Sequence, residues 1–539
     1  MLRIGISQIN TTVGDIEGNC RKIREYIEKA KELKTDIIAF PELSITGYPP
    51  EDLLLKPKFV SDNLKGLNEL AKEISDIVAI VGFVDRKEGN LYNASAIIHK
   101  GRIKKIYHKM LLPNYGVFDE KRYFKEGSDF CIFKFSGISF SVNICEDIWD
   151  KKLVKKASSM GVKLIFNISA SPYHLRKVKE REKILSYQAK KNSIFIAYAN
   201  LVGGQDELVF DGASMVLDDK GRITERKEQF KEDLLIADLD IGEGEEKKPP
   251  IPKRKIKPLE PIPEIYQALI LGLSDYVKKN GFEKVVIGLS GGIDSSLVCV
   301  LAVDALGKDN VIGVFMPSEY SSKESFEDAK ELVDNLGIKI INVPISSIFD
   351  LYCSTLKPHF KGYKTNITEE NLQARIRGNI LMAFSNKFGW LVLTTGNKSE
   401  ISTGYATLYG DMAGGFACLK DIPKTLVYKL CEYRNSKEKV IPERVLKKEP
   451  TAELKYNQKD SDTLPEYEIL DPILKAYVEE DKDVQEITSL GFDKEIVLYV
   501  LNLIDRSEYK RRQSPPGIKI TPKAFGKDRR MPITNKYKN

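Results

Sequence analysis

The chain has 539 residues, of which 42% are hydrophobic and 30% charged, and its formal net charge is +7. This length exceeds one ordinary domain core, so two or more domains are expected. The modest charge does not by itself indicate nucleic-acid binding, and no apolar run is long enough to span a membrane. Seven scattered cysteines without a C-x-x-C pair, and an N-terminus without a signal-peptide pattern, predict a reducing, cytoplasmic location.

Residues 1–242 alternate strand-like and helix-like runs, which predicts a mixed sheet covered by helices. The turn Lys100-Gly101 predicts a hairpin between 94–99 and 102–107. The predicted strands are 3–9, 37–40, 77–83, 95–99, 132–135, 139–144, 163–168, 194–199 and 234–240, and the predicted helices are 20–33 and 62–74.

The composition changes between residues 243 and 263, where six prolines stand among charged residues. Such a stretch is typical of an extended linker. A second domain, 264–539, then begins with a helix that ends near Gly281 and continues with repeated strand–helix units. These units predict a parallel, doubly wound sheet with its ligand at the C-terminal ends of the strands. The predicted strands are 284–287, 311–315, 339–343 and 390–394, and the predicted helices are 297–303, 325–336 and 371–388.

The run GLSGGIDSS at 288–296 lies between the first of these strands and a helix. A Gly/Ser turn at this place aims several backbone N–H groups at one point, beside the positive end of a helix dipole. It is therefore an anion site, and Asp294 suits the Mg²⁺ that accompanies a nucleotide. An ordinary Gly-rich turn is the alternative. The run is not a Walker A loop, because no Lys-Ser/Thr pair follows at the required spacing.

The run SGGIDS resembles the pyrophosphate-binding loop of the N-type ATP pyrophosphatases. These enzymes cleave ATP between the α and β phosphates in order to adenylate a substrate. The resemblance implies the chemistry of the second domain but not its substrate.

Three signals before the linker each place a reactive side chain at the end of a strand-like run. Glu42 follows an apolar strand in FPEL, Lys109 lies in YHKMLLP, and Cys145 follows a buried strand in VNICEDIW. Each has an ordinary alternative, namely a surface charge for Glu42 or Lys109 and a core residue for Cys145. In this order they resemble the Glu-Lys-Cys triad of the nitrilase superfamily.

The triad resemblance implies a role for each residue. Cys145 as thiolate attacks a carbonyl-type carbon, and a neighbouring cation and base lower the cost of making that thiolate. Glu42 is the general base and Lys109 stabilises the oxyanion. The runs YGVFDE at 115–120 and SASPYH at 169–174 further resemble the pocket of the glutaminase domain of glutamine-dependent NAD synthetases. By that resemblance the glutamine-binding residues are Tyr115, Ser171 and Lys177, with Tyr48, Phe118 and Glu146 lining the same pocket.

Polar, Gly-rich loops dense in charge recur in the second half, at 394–400, 403–411, 414–417, 420–425 and 508–517. Together with the paired arginines of ENLQARIR at 370–377, they resemble the synthetase domain of the same family. The resemblance implies Mg²⁺ at Asp294 and Glu400, and deamido-NAD at Asn371, Glu400 and Lys510. It implies mobile cover segments within 440–464. The ATP-binding residues that it implies are Leu289, Ser290, Gly291, Gly292, Ile293, Asp294, Ser295, Ser296, Thr395 and Lys424.

The fold class that follows is α/β, with an N-terminal nitrilase-like αββα sandwich and a C-terminal Rossmann-like ATP pyrophosphatase domain. The expected activity is ATP-dependent amidation of deamido-NAD with glutamine as nitrogen source, in a homo-oligomer built on a synthetase-domain dimer with an ammonia channel. No nucleic-acid or membrane partner is expected. Two alternatives stay open at this point: amidation or thiolation of another substrate such as a tRNA base, and a catalytically silent metabolite sensor.

Overall fold

A computed structural model describes residues 1–241, 248, 250–251 and 256–537 of the chain. The chain divides into two compact units, Met1–Glu264 and Ile265–Asn539. Part of the predicted linker, 243–263, lies outside the described residues. Its last residues enter a helix that begins at Pro261, since proline is tolerated in a first helical turn, where no N–H is needed.

The first unit contains fourteen named strands and four α-helices within the described residues. The strands are β1 (Leu2–Gln8), β2 (Ile37–Ala39), β3 (Val78–Lys87), β4 (Asn90–His99), β5 (Arg102–His108), β6 (Cys131–Phe135), β7 (Ile138–Ile144), β8 (Leu164–Ser169), β9 (Phe195–Asn200), β10 (Val202–Gln205), β11 (Leu208–Asp211), β12 (Met215–Leu217), β13 (Ile223–Arg226) and β14 (Asp233–Leu239). The helices are α1 (Ile16–Glu32), α2 (Pro57–Glu73), α3 (Lys151–Ser159) and α4 (Lys177–Asn192).

Two six-stranded sheets pack face to face in this unit, in the orders β14-β1-β2-β3-β4-β5 and β13-β12-β9-β8-β7-β6. Their shared core is apolar: Ile4 and Ile6 of one sheet belong to the same buried cluster as Phe140 and Phe166 of the other. The outer face of the first sheet packs on α1 and α2, and that of the second on α3 and α4. The predicted αββα sandwich is confirmed.

Residue alternation explains how each strand serves both faces. In β1, Leu2, Ile4 and Ile6 point into the shared core because side chains alternate along a strand. Full burial of each such side chain contributes about 1.5–3 kcal/mol. The last strand, β14, returns antiparallel to β1 over its whole length, from Leu2 opposite Leu239 to Gln8 opposite Asp233.

The second unit has one five-stranded parallel sheet in the order β17-β16-β15-β18-β19. The strands are β15 (Val285–Leu289), β16 (Val311–Phe315), β17 (Lys339–Asn342), β18 (Leu391–Thr394) and β19 (Phe416–Ala417). The helices are α5 (Pro261–Lys279), α6 (Ile293–Leu306), α7 (Lys323–Leu336), α8 (Ser346–Leu356), α9 (Ile367–Phe388), α10 (Lys398–Thr403), α11 (Lys424–Lys437), α12 (Glu443–Lys447), α13 (Tyr467–Leu474), α14 (Val484–Thr488), α15 (Lys494–Arg506) and α16 (Glu508–Arg511).

The strand order of the second sheet fixes where a ligand can bind. Strand β15 lies between β16 and β18, so the chain winds away from it in both directions. Ligands of such sheets bind at this switch point, beyond the C-terminal strand ends. The pairing of these strands confirms the predicted parallel sheet.

Among the described residues, no helix is both long and apolar enough to cross a membrane.

Candidate active sites

Cys145 follows β7 directly and begins a short 3-10 turn, Cys145–Trp149. Its backbone φ of +43° lies in the left-handed region, which a non-glycine residue adopts at an energetic cost. Asn167 of β8 donates from Nδ2 to the carbonyl oxygen of Cys145 at 3.4 Å. The residue is 5% exposed. The strand and turn thus fix the backbone of Cys145 at a buried position inside the first unit.

Lys109 follows β5, and its ammonium group lies between two carboxylates. The distances from Nζ are 2.7 Å to Oε1 of Glu42 and 2.8 Å to Oε1 of Glu120. Lys109 is 1% exposed, Glu42 0% and Glu120 5%. Because a buried charge is costly without partners, this arrangement keeps the lysine protonated, and its pKa is well above the ordinary value.

Glu42 receives two further hydrogen bonds that fix its carboxylate. Asn93 donates from Nδ2 to Oε1 at 2.7 Å, and the N–H of Ala170 donates to Oε2 at 2.8 Å.

The loop that carries Glu42 lies directly on β3. A Cβ at Gly82 would come within 2.4 Å of the Pro41 carbonyl oxygen, so only glycine permits this close approach.

Burial and the charges of this cluster keep the Cys145 thiol protonated at rest, so its proton has to be transferred when the sulfur attacks. Burial, and then the Glu42 charge, raise the pKa of Cys145 well above its usual value, although Lys109 lowers it. Burial raises the pKa of Glu120 to about 7, against the lowering effect of Lys109. The resting thiol is therefore neutral and needs a base. The sequence led us to expect that both neighbours would favour the thiolate. Lys109 does so by lowering the pKa of Cys145, whereas Glu42 raises it.

Three residues expected at the glutamine pocket contact one another near the Cys145 turn. The hydroxyl of Tyr115 lies 3.0 Å from both carboxylate oxygens of Glu146, the residue after the cysteine. Phe118 packs edge-on against Tyr115, with ring centroids 5.5 Å apart. Tyr115 is 59% exposed, so this side of the cluster faces solvent.

The other three expected pocket residues take separate places in the first unit. Tyr48 donates from its hydroxyl to Oε1 of Glu120 at 2.9 Å. Ser171, just after β8, donates its N–H to Oδ1 of Asn200 at 3.0 Å. The Lys177 ammonium lies 4.7 Å from the ring centroid of Trp149, the last residue of the Cys145 turn.

In the second unit, the loop after β15 turns sharply into α6. Gly291 has φ +74°, and a Cβ there would lie 2.4 Å from the Ser325 carbonyl oxygen, so only glycine fits. The hydroxyl of Ser290 accepts the N–H of Gly292 at 3.2 Å, and Ser295 Oγ accepts the N–H of Ser290 at 3.3 Å. The two serines thus stabilise the turn through these hydrogen bonds.

Asp294, in the first turn of α6, shares a lysine with Glu400 of α10. Lys424 donates to Oδ2 of Asp294, and its Nζ lies 3.4 Å from Oε1 of Glu400. Asn397 donates from Nδ2 to Oδ1 of Asp294 at 2.9 Å. Burial, and then the Asp294 charge, raise the pKa of Glu400 to about 8. A divalent cation suits such a pair, because it would relieve the repulsion between the two carboxylates.

These groups line one cavity at the C-terminal ends of β15, β16 and β18. The predicted residues that line it are Leu289, Ser290, Gly292, Ile293, Asp294, Ser295, Thr395, Glu400 and Lys424. Gly291 and Ser296 belong to the loop but not to this lining, and Ser296 donates from Oγ to the Gly292 carbonyl oxygen at 2.8 Å. The described residues hold no cluster of three or more His, Cys, Asp or Glu side chains arranged for a metal ion. Phosphate oxygens and water would therefore have to complete the coordination of a cation here.

Two residues expected to contact deamido-NAD lie outside the lining of this cavity. Asn371 of α9 accepts at Oδ1 from the Thr407 hydroxyl at 2.7 Å. Lys510 donates to the carbonyl oxygens of Gly404 and Ala406 at 2.7 and 2.9 Å. Both side chains therefore support the loop at 403–411 in this structure, and only Glu400 of the three reaches the cavity.

Sequence reasoning assigned no role of their own to Glu120 and Lys448, although both lie in runs that it singled out. Glu120 carries no pattern of its own, because it lies in a three-residue 3-10 turn. Arg377, one of the two arginines singled out in ENLQARIR, lines the cavity of the second unit together with Lys448, and burial lowers the pKa of Arg377 to about 10. The predicted cover segment does reach this cavity, through Val445 and through residues 448–454 and 460.

Comparison with known proteins gives consistent matches for both units. Residues 3–248 match the carbon-nitrogen hydrolase family, and residues 265–514 match the NAD synthase family. The chain is 50% identical to the glutamine-dependent NAD(+) synthetase of Thermotoga maritima, covering 100% of this chain and 99% of that protein. It is 49% identical to the enzyme of that name from Aquifex aeolicus, with 100% of both covered. A solved structure of glutamine-dependent NAD+ synthetase from Acinetobacter baumannii with adenosine diphosphate is 44% identical, with a TM-score of 0.79 over 99% of this chain and 98% of that one.

Proposed function

The chain belongs to the glutamine-dependent NAD(+) synthetases, and we propose that its two sites divide the family's reaction between them. The overall reaction amidates deamido-NAD to NAD with glutamine as nitrogen source and ATP as co-substrate, in NAD biosynthesis. Glutamine hydrolysis belongs to the Cys145 site, and adenylation with release of AMP and pyrophosphate belongs to the Asp294 site.

At the first site, Glu42 takes the Cys145 proton as the sulfur attacks the glutamine amide carbon. Lys109, held 2.7 Å from Glu42, stabilises the oxyanion that develops on the amide oxygen. Glu42 returns the Cys145 proton to the amide nitrogen, which leaves as ammonia and leaves a glutamyl thioester on Cys145. The ionised Glu42 then takes a proton from the water that releases glutamate. The glutamine pocket consists of Tyr115, Phe118 and Glu146 beside the Cys145 turn, with Tyr48, Ser171 and Lys177.

At the second site, the loop at 289–296 and Thr395 hold the ATP phosphates. The nicotinate carboxylate of deamido-NAD is a poor electrophile, and transfer of AMP to its oxygen creates a good leaving group for the attack of ammonia. Mg²⁺ would be held by Asp294 and Glu400, where it would neutralise phosphate charge. Lys424 would then move from these carboxylates to a phosphate. Asn371, Glu400 and Lys510 are proposed for deamido-NAD.

The observation that carries this proposal is the lysine held between Glu42 and Glu120 beside a buried cysteine, on a chain that also has a complete SGGIDS loop. The decisive experiment incubates the protein with deamido-NAD, Mg-ATP and amide-¹⁵N glutamine. We expect the label in the carboxamide of NAD. Glutamate release without labelled NAD would contradict the assignment of the second site.

The further proposals concern assembly and location. We propose a cytoplasmic homo-oligomer, built on a dimer of synthetase domains, with an enclosed path for ammonia. A closed path has a chemical reason, since ammonia in water near neutral pH is mostly protonated and ammonium cannot attack an acyl-adenylate. Dilution of the ¹⁵N label by an added pool of unlabelled ammonium would contradict the enclosed path.

A further inference from the structure

The cavity of the second unit has few cations for a site that must bind a polyphosphate. Six carboxylates line it, and its three cationic side chains are Arg377, Lys424 and Lys448. Lys424 is paired with Asp294 and Glu400, and Arg377 donates from Nε to the Met316 carbonyl oxygen at 3.0 Å. Lys448 is the remaining cationic side chain among the described lining residues.

The position of Lys448 is set by Glu453, five residues further along the chain. The Lys448 ammonium lies 2.8 Å from Oε1 of Glu453 and 2.7 Å from Oγ of Ser325. Lys448 and Glu453 are partly buried and Ser325 is fully buried, so the ion pair is less screened than one on an open surface.

Glu453 is itself bound to the start of α7. Its Oε1 accepts from the hydroxyls of Ser325 at 2.7 Å and Ser322 at 2.9 Å, and its Oε2 accepts the N–H of Ser322 at 3.3 Å. Burial alone would raise the pKa of Glu453, but the hydrogen bonds from Lys448 and the serines lower it. The carboxylate is therefore charged and holds its segment against the N-terminal end of α7.

The backbone around this contact shows that it is specific. Glu453 has φ +48°, in the left-handed region that a glutamate adopts only when its surroundings compensate. The backbone of Ser325, whose hydroxyl binds Glu453, also contacts Gly291 of the phosphate loop. Farther along the segment, the carbonyl oxygen of Leu454 accepts from Gln373 at 2.9 Å. Ser325 therefore contacts the phosphate loop at 289–296 through its backbone and the cover segment at 448–454 through its hydroxyl.

We propose that Glu453 is a positioning residue for ATP. It fixes residues 448–454 beside the phosphate loop and thereby presents Lys448 to the triphosphate. The inference rests on the proposed function, because it takes ATP as the ligand of this cavity. On ATP binding, Lys448 exchanges part of its contact with Glu453 for a phosphate oxygen, while the two serines retain the carboxylate.

The test compares Glu453→Gln, Lys448→Met and the double variant with a matched control, Glu443→Gln. Glu443 lies on α12 just before the segment, and it is an exposed partner of Lys447 at 3.3 Å. In ammonium-dependent synthesis, we expect each single variant to raise KM for ATP about tenfold, the scale of a hydrogen bond to a charged group. Glutaminase turnover should be unchanged, and ATP should no longer protect the segment from trypsin in Glu453→Gln.

The double variant distinguishes positioning from a general loss of stability. If Glu453 acts through Lys448, the two effects on KM overlap, so the double variant is no worse than the weaker-binding single variant. Additive effects, or a KM for ATP within twofold of the parent in Glu453→Gln, would overturn the inference. If Glu453→Gln does not fold, Glu453→Asp, which keeps the charge but shortens its reach, takes its place. Absence of AMP formation in the parent and in Glu443→Gln would instead contradict the proposed function.

Discussion

The two sites share an unexpected motif: each places one lysine between two carboxylates. In the first unit Lys109 lies between Glu42 and Glu120, and in the second Lys424 lies between Asp294 and Glu400. The surroundings differ. The side chains of Lys109 and Glu42 are 0% exposed, whereas those of Asp294 and Glu400 are 15% and 18% exposed and line an open cavity.

This difference shows how one arrangement can serve two kinds of chemistry. The sealed version can act on an amide, which brings no net charge at its reacting end. The open version holds its lysine where a metal ion and phosphates would compete for the same partners. The first lysine is therefore expected to stay in place during turnover, and the second to exchange its contacts.

The largest effect is expected from Cys145→Ala. Glutamine-dependent NAD synthesis should fall by at least about 10⁴-fold, because no other group can form the thioester. Synthesis from ammonium salts should stay within about twofold of the parent, since the adenylating site is separate. Rates with each nitrogen source give the measurement, and Cys131→Ala, a core cysteine of the same unit, is the control. Retained glutaminase activity in Cys145→Ala would refute the triad.

Asp294→Asn should give the opposite pattern with a somewhat smaller loss. We expect AMP formation to fall about 10²–10³-fold with either nitrogen source, because one of two charged metal ligands is removed. Basal glutamate release should persist. Asp304→Asn on the same helix, which alters contacts with Arg434 and Tyr266 and none with Lys424 or Glu400, controls for helix stability. Normal ammonium-dependent synthesis in Asp294→Asn would exclude its proposed role.

The smallest of these effects concerns Glu120 and pH. Since burial raises its pKa to about 7, glutamine hydrolysis should increase as pH rises through 7 and Glu120 becomes charged beside Lys109. Glu120→Gln should lose this part of the pH profile and about 10²-fold in turnover.

Stability should respond with the opposite sign. The folded state keeps the Glu120 proton above pH 4.5 while the unfolded state releases it, so the contribution to the free energy of unfolding decreases between pH 4.5 and 7. Urea denaturation across this range should show that decrease in the parent and not in Glu120→Gln. The exposed substitution Glu126→Gln should leave both measurements unchanged, and an unaltered pH profile in Glu120→Gln would remove Glu120 from the site.

Strong local patterns made much of the fold predictable. Strand β16 lies at Val311–Phe315 as predicted, since a short apolar run rich in β-branched residues and bounded by turn residues has few alternatives. Helix α9 begins at Ile367, four residues before its predicted start, because Asn366 and Glu369 form a capping box. The apolar periodicity used in the prediction does not detect such polar caps.

The elements that were missed depend on tertiary contacts. Strand β10 has the sequence VGGQ, whose glycines weaken strand propensity, and it forms by pairing with β11. Helix α4 carries eight charged residues in KVKEREKILSYQAKKN and lacks a clear apolar face. In the same way, Glu120 and Glu453 also contact distant residues, Tyr48 and Ser325 respectively, which a local pattern cannot reveal.

The left-handed backbone at Cys145 also limits how this position can change in evolution. Branching at Cβ makes a positive φ far more costly, so threonine is excluded there even though its hydroxyl can serve as a nucleophile elsewhere. Serine and alanine have no such branch and fit the same bend. Single substitutions can therefore exchange the sulfur for an oxygen or remove it, but a threonine nucleophile cannot arise at residue 145 without rebuilding the turn.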